Sequence, residues 1–447
     1  MAVSCPTCSG NCWLHEGESG LSVQSPGVCW AGKPCRALRM TRQALIAGGG
    51  IGGLAAALST SRAGWGVSLY ERAQVFSEVG AGVQLGPNVV KVLHGWGLQD
   101  TLARVAAFPD RLQVRNAVSG RELGVLRLGG PMQKRYGAPY VTLHRADLHD
   151  VLLQAVQAQG NVRLNLNCAV AGYADSGREV TLQAPLLKVG GDVLIGADGL
   201  WSRVRQQMLN DAAPRVTGHL AYRAMLPQTS LPTRLRSQQV MVWLGPKLHV
   251  VHYPVRGGEW LNVVVIVQGK VADDLQSWDH NANGADLKDA IQPTTTLLRD
   301  LIEAVTDGGN QSGPAWRLWP LCDRPPMSGA HQHAKGRVVL LGDAAHPMRP
   351  YLAQGAGMAI EDAVELGAAL ALGLDPAFDV PAMLQRYAQN RWQRNARVQA
   401  RALRNGQIFH AQGPLCWARD ASMKLLGDKV MDLPWLYGHI PKASKLL

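Results

Sequence analysis

The sequence has no apolar run long enough to cross a bilayer. Its longest, Ala44 to Leu58, is interrupted by glycine and falls short of the ~18–20 residues that a span needs. It has no lysine- or arginine-led apolar leader of the secretory kind, and its folded part shows no internal repeat or low-complexity tract. Cysteine is scarce after residue 35. Cys5, Cys8, Cys12, Cys29 and Cys35 crowd the start, and only Cys168, Cys322 and Cys416 follow. Isolated thiols of that kind suit a reducing cytoplasm, the expected compartment. What is present, 47% hydrophobic residues, 17% charged and 49 glycines in 447 residues, is enough for a large core split into two lobes.

The first 40 residues have no hydrophobic period and are expected to be a disordered leader or a mis-assigned start, with Met40 the functional one. Cys5-x-x-Cys8 invites a zinc reading, but a second pair of ligands is poorly spaced, and no metal is expected. Net charge is +12. Most basic residues are scattered. One cluster, Arg386, Arg391, Arg394, Arg397, Arg401 and Arg404, recurs at helical spacing and reads as a solvated helix face. No aromatic platform or reading motif accompanies it, so neither nucleic acid nor membrane is expected as a partner.

From Met40 onward the pattern alternates. Ala44–Ala47 predicts a buried strand, Ile51–Ala63 a helix and Val67–Tyr70 a second strand, the βαβ unit of a doubly wound sheet. Further strands are predicted at Asp192–Ala197 and Arg337–Leu341. Between them Leu220–Leu226, Val240–Leu244, Leu248–Tyr253 and Leu261–Val267 are short β-rich runs, with turn chemistry at Gly245-Pro246 and Gly257-Gly258. They predict an inserted antiparallel sheet that covers a ligand and builds a pocket at the lobe interface. Helices are expected after Pro381, then a loop around Pro434.

Three motifs carry the chemistry. Gly48-Gly-Gly50-Ile-Gly-Gly53 follows the first strand and opens the first helix. In that context Gly48 makes the turn, Gly50 lets a pyrophosphate approach, and Gly53 packs helix on strand. Glu71, 23 residues after Gly48, stands where an acid accepts hydrogen bonds from an adenosine ribose. The motif means dinucleotide binding without separating FAD from NAD. The second motif, Asp198-Gly-Leu-Trp-Ser202-Arg-Val-Arg205, puts an acid at the carboxyl end of a strand, where such folds bind ligands; its plainer reading is a helix start capped by Ser202. The third is Gly342-Asp343-Ala-Ala-His346-Pro347 followed by Gln354-Gly355-Ala356-Gly357. Asp343 can hold the hydroxyls of a ribityl chain, and the helix opening at Gly355 and Ala356 offers free N–H groups to a reduced flavin's pyrimidine ring. An NAD-only enzyme has no ribityl chain to support, so this motif points to FAD.

Together these residues resemble the single-component FAD-dependent aromatic hydroxylases, over about Arg42 to Arg404. Gly80-Ala-Gly-Val-Gln84-Leu-Gly-Pro-Asn88 and His144-Arg145-Ala-Asp147-Leu148 extend the likeness. The resemblance implies an α/β fold (α+β overall): a Rossmann-type FAD-binding domain at 41–214 and 316–375, an inserted antiparallel β-sheet substrate domain at 215–315, and a C-terminal helical segment at 376–447. It implies bound FAD, with Glu71 and Arg72 beside the adenosine, Arg145 beside the diphosphate or ribityl chain, and Gln84, Asp198 and Asp343 in the family's cofactor positions. NADH or NADPH, O2 and a small aromatic acid are the implied co-substrates and substrate, and a homodimer is among the expected assemblies.

Within the family the likeness is strongest to the 3-hydroxybenzoate 6-hydroxylases, carried by Tyr136-Gly-Ala-Pro-Tyr140, Ala221-Tyr222-Arg223 and Tyr253-Pro-Val-Arg256. Pro350 departs from it, standing where a pocket-lining glutamine is expected. Salicylate or another hydroxybenzoate is the alternative substrate. The candidates for handling a phenol proton are Tyr222 and His219 on the inserted sheet, and Tyr351 before the flavin helix. An ordinary sheet position, a strand-end histidine and plain pocket wall are their respective alternatives. Arg223 or Arg256 would pair with a substrate carboxylate, and His346 would fix its loop. No second glycine fingerprint follows a strand, so the nicotinamide dinucleotide is expected to visit without a lobe of its own. That and the lack of a Cys-x4-Cys pair exclude a flavoprotein disulfide reductase.

Overall fold

The computed structural model describes residues 42–76, 81–269, 280–281, 284–308, 316–374 and 379–441. The expected leader with Cys5 and Cys8, and Gly80 of the Gly80–Asn88 motif, lie outside the described residues.

Among the described residues, one six-stranded sheet runs in the order Ala334–Lys335, Val338–Leu340, Val193–Gly196, Gln43–Ala47, Gly66–Tyr70, Val162–Asn165. Its pairings are parallel apart from the first. Parallel strands need both faces covered, which is why Ala44, Leu45, Ile46 and Ala47 are all buried. Alternate residues divide between two cores. Ala44, Ile46, Ile195 and Val339 pack with residues of the helices Ile51–Arg62, Arg145–Gln157 and Gly355–Ala371. Leu45, Leu194, Val338 and Leu340 pack on the other side with Val204, Met208 and the small antiparallel sheet that contributes Val180 and Leu182. The predicted βαβ unit is present at these positions.

The second large sheet has eight strands, ordered His280–Asn281, Arg317–Asp323, Arg215–Pro227, Trp260–Gln268, Leu248–Val255, Val240–Gly245, Arg111–Asn116, Glu122–Arg127. It is wider than the expected stretch 215–315, because it recruits Arg111–Arg127 from earlier in the chain and Arg317–Asp323 from later. The pairing of Val240–Gly245 with Arg111–Asn116 is parallel, unlike the others in this sheet. Partners so distant in sequence leave no local mark, and only the β-rich texture of each run was legible. On the central strand Leu261, Val263, Val265 and Val267 bury one face against the helices Gly284–Ile291 and Thr296–Gly308. Full burial of each such side chain contributes roughly 1.5–3 kcal/mol.

The C-terminal part is helical at Val380–Phe409 and Pro414–Leu426. Pro434–Tyr437 is a short helix with proline in its first turn, where a loop was expected. The arginine run is also not a uniformly solvated face. Arg391 is 1% exposed and pairs with Glu361 at 3.0 Å and Asp362 at 2.7 Å, while Arg394 reaches Glu361 at 2.6 Å. Burial pushes the Glu361 carboxyl up, but the hydrogen bond from Arg394 and the Arg391 charge hold it at about 2. Arg386, Arg397 and Arg404 remain exposed. The helix thus turns two cations inward to neutralise two acids of the helix Gly355–Ala371. No helix among the described residues is long and apolar enough to cross a membrane.

Candidate active site

The glycine turn sits between the first strand and its helix. Gly48 has φ +101°, and a Cβ there would stand 2.4 Å from the Ala197 carbonyl oxygen. A Cβ on Gly53 would stand 1.9 Å from the Gly48 oxygen, so only glycine lets the helix start this close to the turn. The helix Ile51–Arg62 has Gly50 at its N-cap and no side-chain cap, leaving its first N–H groups for another acceptor. Glu71 reaches back to the turn, accepting from Gly49 N–H at 2.6 Å and Ala73 N–H at 2.9 Å. Arg72 is exposed, just after the strand Gly66–Tyr70.

Asp343 lies in a short 3-10 turn, Gly342–Ala344, with its side chain exposed. Its Oδ1 would be 4.0 Å from a Cβ built on Gly355, so the acid and the start of the helix Gly355–Ala371 converge. This helix likewise lacks a side-chain cap at Gln354, and Gly355 and Ala356 open it. Asp198 is close to the glycine turn by its backbone, but its carboxylate points elsewhere. It accepts from Ser202 Oγ at 2.6 Å, Arg203 N–H at 2.7 Å and Val204 N–H at 3.2 Å, while Ser202 caps the helix Arg203–Leu209 through Arg205 N–H at 2.8 Å. The plainer reading of that motif, a capped helix start, is what the structure contains.

Arg145 opens the helix Arg145–Gln157, its N–H bonded to the Ala81 carbonyl at 2.8 Å. Gln84 lies on the strand Gly82–Leu85, paired with Val141–His144, and accepts from the Tyr140 hydroxyl at 2.7 Å. Two glycine-shaped helix starts without side-chain caps, and one exposed acid beside the second, offer donors and an acceptor of the kind FAD requires.

The eight-stranded sheet meets this region by one face. Asn262 Oδ1 accepts from Gly82 N–H at 2.7 Å, and Ala221 and Ile266 pack with Tyr351. From His219 to Pro227 the register with the neighbouring strand is unbroken, so His219, Ala221 and Arg223 share that face. Tyr222 does not. It faces the opposite way, into the core with Leu220, Ala224, Leu298 and Ile302. The expectation of a catalytic Tyr222 is therefore corrected: a period of two puts it behind the sheet.

His219 and Tyr351 do come together, His219 Nδ1 being hydrogen-bonded to the Tyr351 hydroxyl. Burial, then the Arg349 charge, lowers the His219 pKa, with Asp323 opposing. The shift favours the neutral ring. Burial raises the Tyr351 hydroxyl well above its ordinary value. Two histidines that the sequence did not single out complete the cluster. His249 Nδ1 bonds His410 Nε2 at 2.7 Å, and His410 stacks on His219 with centroids 4.7 Å apart.

Arg256 is bound to Asp147 at 3.2 Å, leaving Arg223 as the candidate carboxylate partner. Arg223 is partly exposed, lies 4.4 Å over the Trp319 ring, and no carboxylate among the described residues pairs with it. Burial lowers its pKa to about 10, with Tyr253 opposing and Arg145 adding to the shift. Tyr253, whose hydroxyl is raised by burial and held down in part by Arg223 and Gln84, is a further residue the sequence reading quoted without a role. His346 is wholly buried and bonded to Asp362, which fixes its loop. His149 and Arg205 were also missed. The first holds the Gly49 carbonyl at 2.8 Å, and the second the Ala344 carbonyl at 3.2 Å, each bracing a cofactor-side turn.

Comparison with known proteins shows the family. The FAD binding domain family matches residues 41–402. The chain is 35% identical over 403 residues to 3-hydroxybenzoate 6-hydroxylase 1 of Aquipseudomonas alcaligenes, covering 89% of this chain and 98% of the relative. It is 37% identical over 398 residues to 3-hydroxybenzoate 6-hydroxylase of Polaromonas naphthalenivorans, covering 88% and 95%. A salicylate hydroxylase solved as its substrate complex superposes with a TM-score of 0.74 at 26% identity, over 90% of this chain and 97% of the other. The chain belongs to the FAD binding domain family and, within it, to the FAD-dependent aromatic-ring monooxygenases that consume NAD(P)H and O2.

Proposed function

We propose that this enzyme hydroxylates 3-hydroxybenzoate at the carbon para to its hydroxyl. The observation that carries the reading is the order His219, Ala221, Arg223 along one sheet face. Alternate residues of a strand advance about 6.6 Å, so the outer pair stands about 13 Å apart at Cα. Ala221, between them, carries only a methyl group and packs with Ile266, Leu321 and Tyr351. A meta-substituted ring would set its carboxylate toward the Arg223 guanidinium and its hydroxyl toward His219.

Glu71, Arg72, Arg145 and Asp343, with the helix start at Gly355 and Ala356, would hold FAD; Gln84 would line the ring side, and Asp198 would act through its backbone beside Gly48. When bound, FAD takes a hydride from NAD(P)H and activates O2 so that one oxygen atom is delivered to the ring. The chain's own residues do the rest. His219, neutral and steadied by Tyr351, accepts the phenol proton at a ring nitrogen, which enriches the carbon para to that oxygen. Arg223 fixes the other end of the substrate. Ala221, Val264, Ile266 and Leu321 form an apolar floor that excludes water. The overall change is substrate, NAD(P)H, a proton and O2 to dihydroxybenzoate, NAD(P)+ and water.

The test is a panel of hydroxybenzoates assayed for stimulation of NADH and NADPH oxidation, with the product's ring position determined. 3-Hydroxybenzoate should stimulate most and give the 2,5-dihydroxy acid. Strongest stimulation by salicylate, which Pro350 leaves as the second reading, would transfer the assignment to that acid.

A further inference from the structure

The back of the eight-stranded sheet, the face turned away from His219 and Arg223, is not closed everywhere. A cleft of about 280 Å³ lies between the sheet, the segment Arg234–Gln239 and the helix Thr296–Gly308. Pockets for drug-sized ligands run to ~300–1,000 Å³, so this one suits a single small ring. Arg115, Trp243 and His252 line it from neighbouring strands, with Leu298 and Leu301 opposite.

Its polar groups are arranged as unmatched donors. The Trp243 indole N–H donates to His252 Nε2 at 3.2 Å. A neutral imidazole that accepts at Nε2 carries its proton on Nδ1. His252 is only 5% exposed, and that Nδ1 has no partner. The Arg115 guanidinium lies 5.6 Å over the Trp243 ring, and its Nε is also buried without a partner. Glu122, directly across from Arg115 in the neighbouring strand, bonds Gln113 instead. Of the other cations on the rim, Arg234 is taken by Asp300 at 2.7 Å and Arg236 by the Leu231 carbonyl at 2.9 Å. Buried donors without acceptors are costly, about 1–3 kcal/mol each, and an anion in the cleft would satisfy both.

We propose that this cleft binds a small aromatic carboxylate, its carboxylate on Arg115 and His252 and its ring between Trp243 and the leucines of the facing helix. Phosphate would satisfy the donors but not the apolar wall. The site is independent of the catalytic assignment, since it lies on the opposite face of the sheet from His219 and Arg223 and is lined from the strands Arg111–Asn116, Val240–Gly245 and Leu248–Val255.

Benzoate is the probe, titrated into FAD-loaded enzyme by calorimetry and, in parallel, by flavin absorbance. Two binding events per chain are expected, only one of them changing the flavin spectrum. Arg115→Ala should weaken the spectrally silent event at least about tenfold, the effect of losing one charge-assisted hydrogen bond, and leave the flavin-linked event and turnover in place. Arg115→Lys, which keeps the charge but loses the planar fork, should weaken it less, and serves if the alanine variant misfolds. A single, flavin-linked event in the wild type, or a silent event untouched by both substitutions, overturns the proposal. So does inorganic phosphate that displaces the silently bound benzoate as readily as a second aromatic acid does. A silent event without a flavin-linked one leaves this site standing, and 3-hydroxybenzoate, which has the hydroxyl that benzoate lacks, tests the proposed substrate separately.

Discussion

The two faces of the eight-stranded sheet share strands, register and a run of valines, yet they differ in what closes them. Behind, Leu220, Tyr222, Ala224, Val263 and Val265 are sealed by two helices into an apolar core. In front, His219 and His249 meet Tyr351, Tyr253 and Asn262 meet Gly82, and Arg223 lies over Trp319. A polar set of that density is stable only where it is hydrogen-bonded or awaits a ligand. His219 and His249 have partners, whereas Arg223 pairs with no carboxylate among the described residues. One strand therefore turns an apolar side to the core and a polar side to the front, with a single-residue shift exchanging the two.

The comparison breaks most completely if the front face loses what it faces. Gly53→Ala places a methyl group on the Gly48 carbonyl. The purified variant should be nearly colourless and hold added FAD poorly; full flavin occupancy would contradict the assigned turn. Next in size is His219→Asn, expected to lower kcat about 100-fold or more, the usual scale for losing a general base. In the wild type the acid limb of kcat/KM should fall below 6.5, because burial and Arg349 lower the His219 pKa and keep the ring basic as pH drops. A limb at or above 6.5 would remove His219 from the role.

A smaller and more gradual effect concerns stability. Burial lowers His252 and His333 to about 4 and His410 to about 3. In the unfolded chain these rings take up protons near 6.5. The sign follows from linkage: the unfolded state binds more protons, so the stability is intact above 6.5 and is lost as pH falls toward 4. Thermal unfolding followed from pH 7 to 4 should show a steady fall in Tm, and a flat profile would mean that these rings are not buried neutral.

The same contrast explains what could be read from sequence. The glycine turn, Glu71 and the first strands are local, each element adjacent to the next in the chain, and their residues carried their meaning with them. The helix start at Gly355 was legible for the same reason. The four inner strands of the second sheet were legible too, but its full width was not, because Arg111–Asn116 and Arg317–Asp323 join it from far away, and pairing partners so distant leave no periodic trace. Tyr222 was misplaced for want of a phase: with His219 fixed on the front, alternation alone sends Tyr222 behind. Arg391 was read as solvated because its acidic partners, Glu361 and Asp362, lie on a different helix. His410 belonged to no motif, and only the folded chain brings it onto His249.

The most direct test sets the two faces against each other at neighbouring positions. FAD-loaded wild type, Arg223→Ala and Tyr222→Phe are titrated with 3-hydroxybenzoate, the flavin spectrum reporting binding beside the cofactor. The account predicts an affinity about 10–100-fold weaker for Arg223→Ala, as expected on losing a charge-assisted pair, and a Tyr222→Phe affinity within about threefold of wild type. Equal losses in both, or a loss confined to Tyr222→Phe, would contradict it.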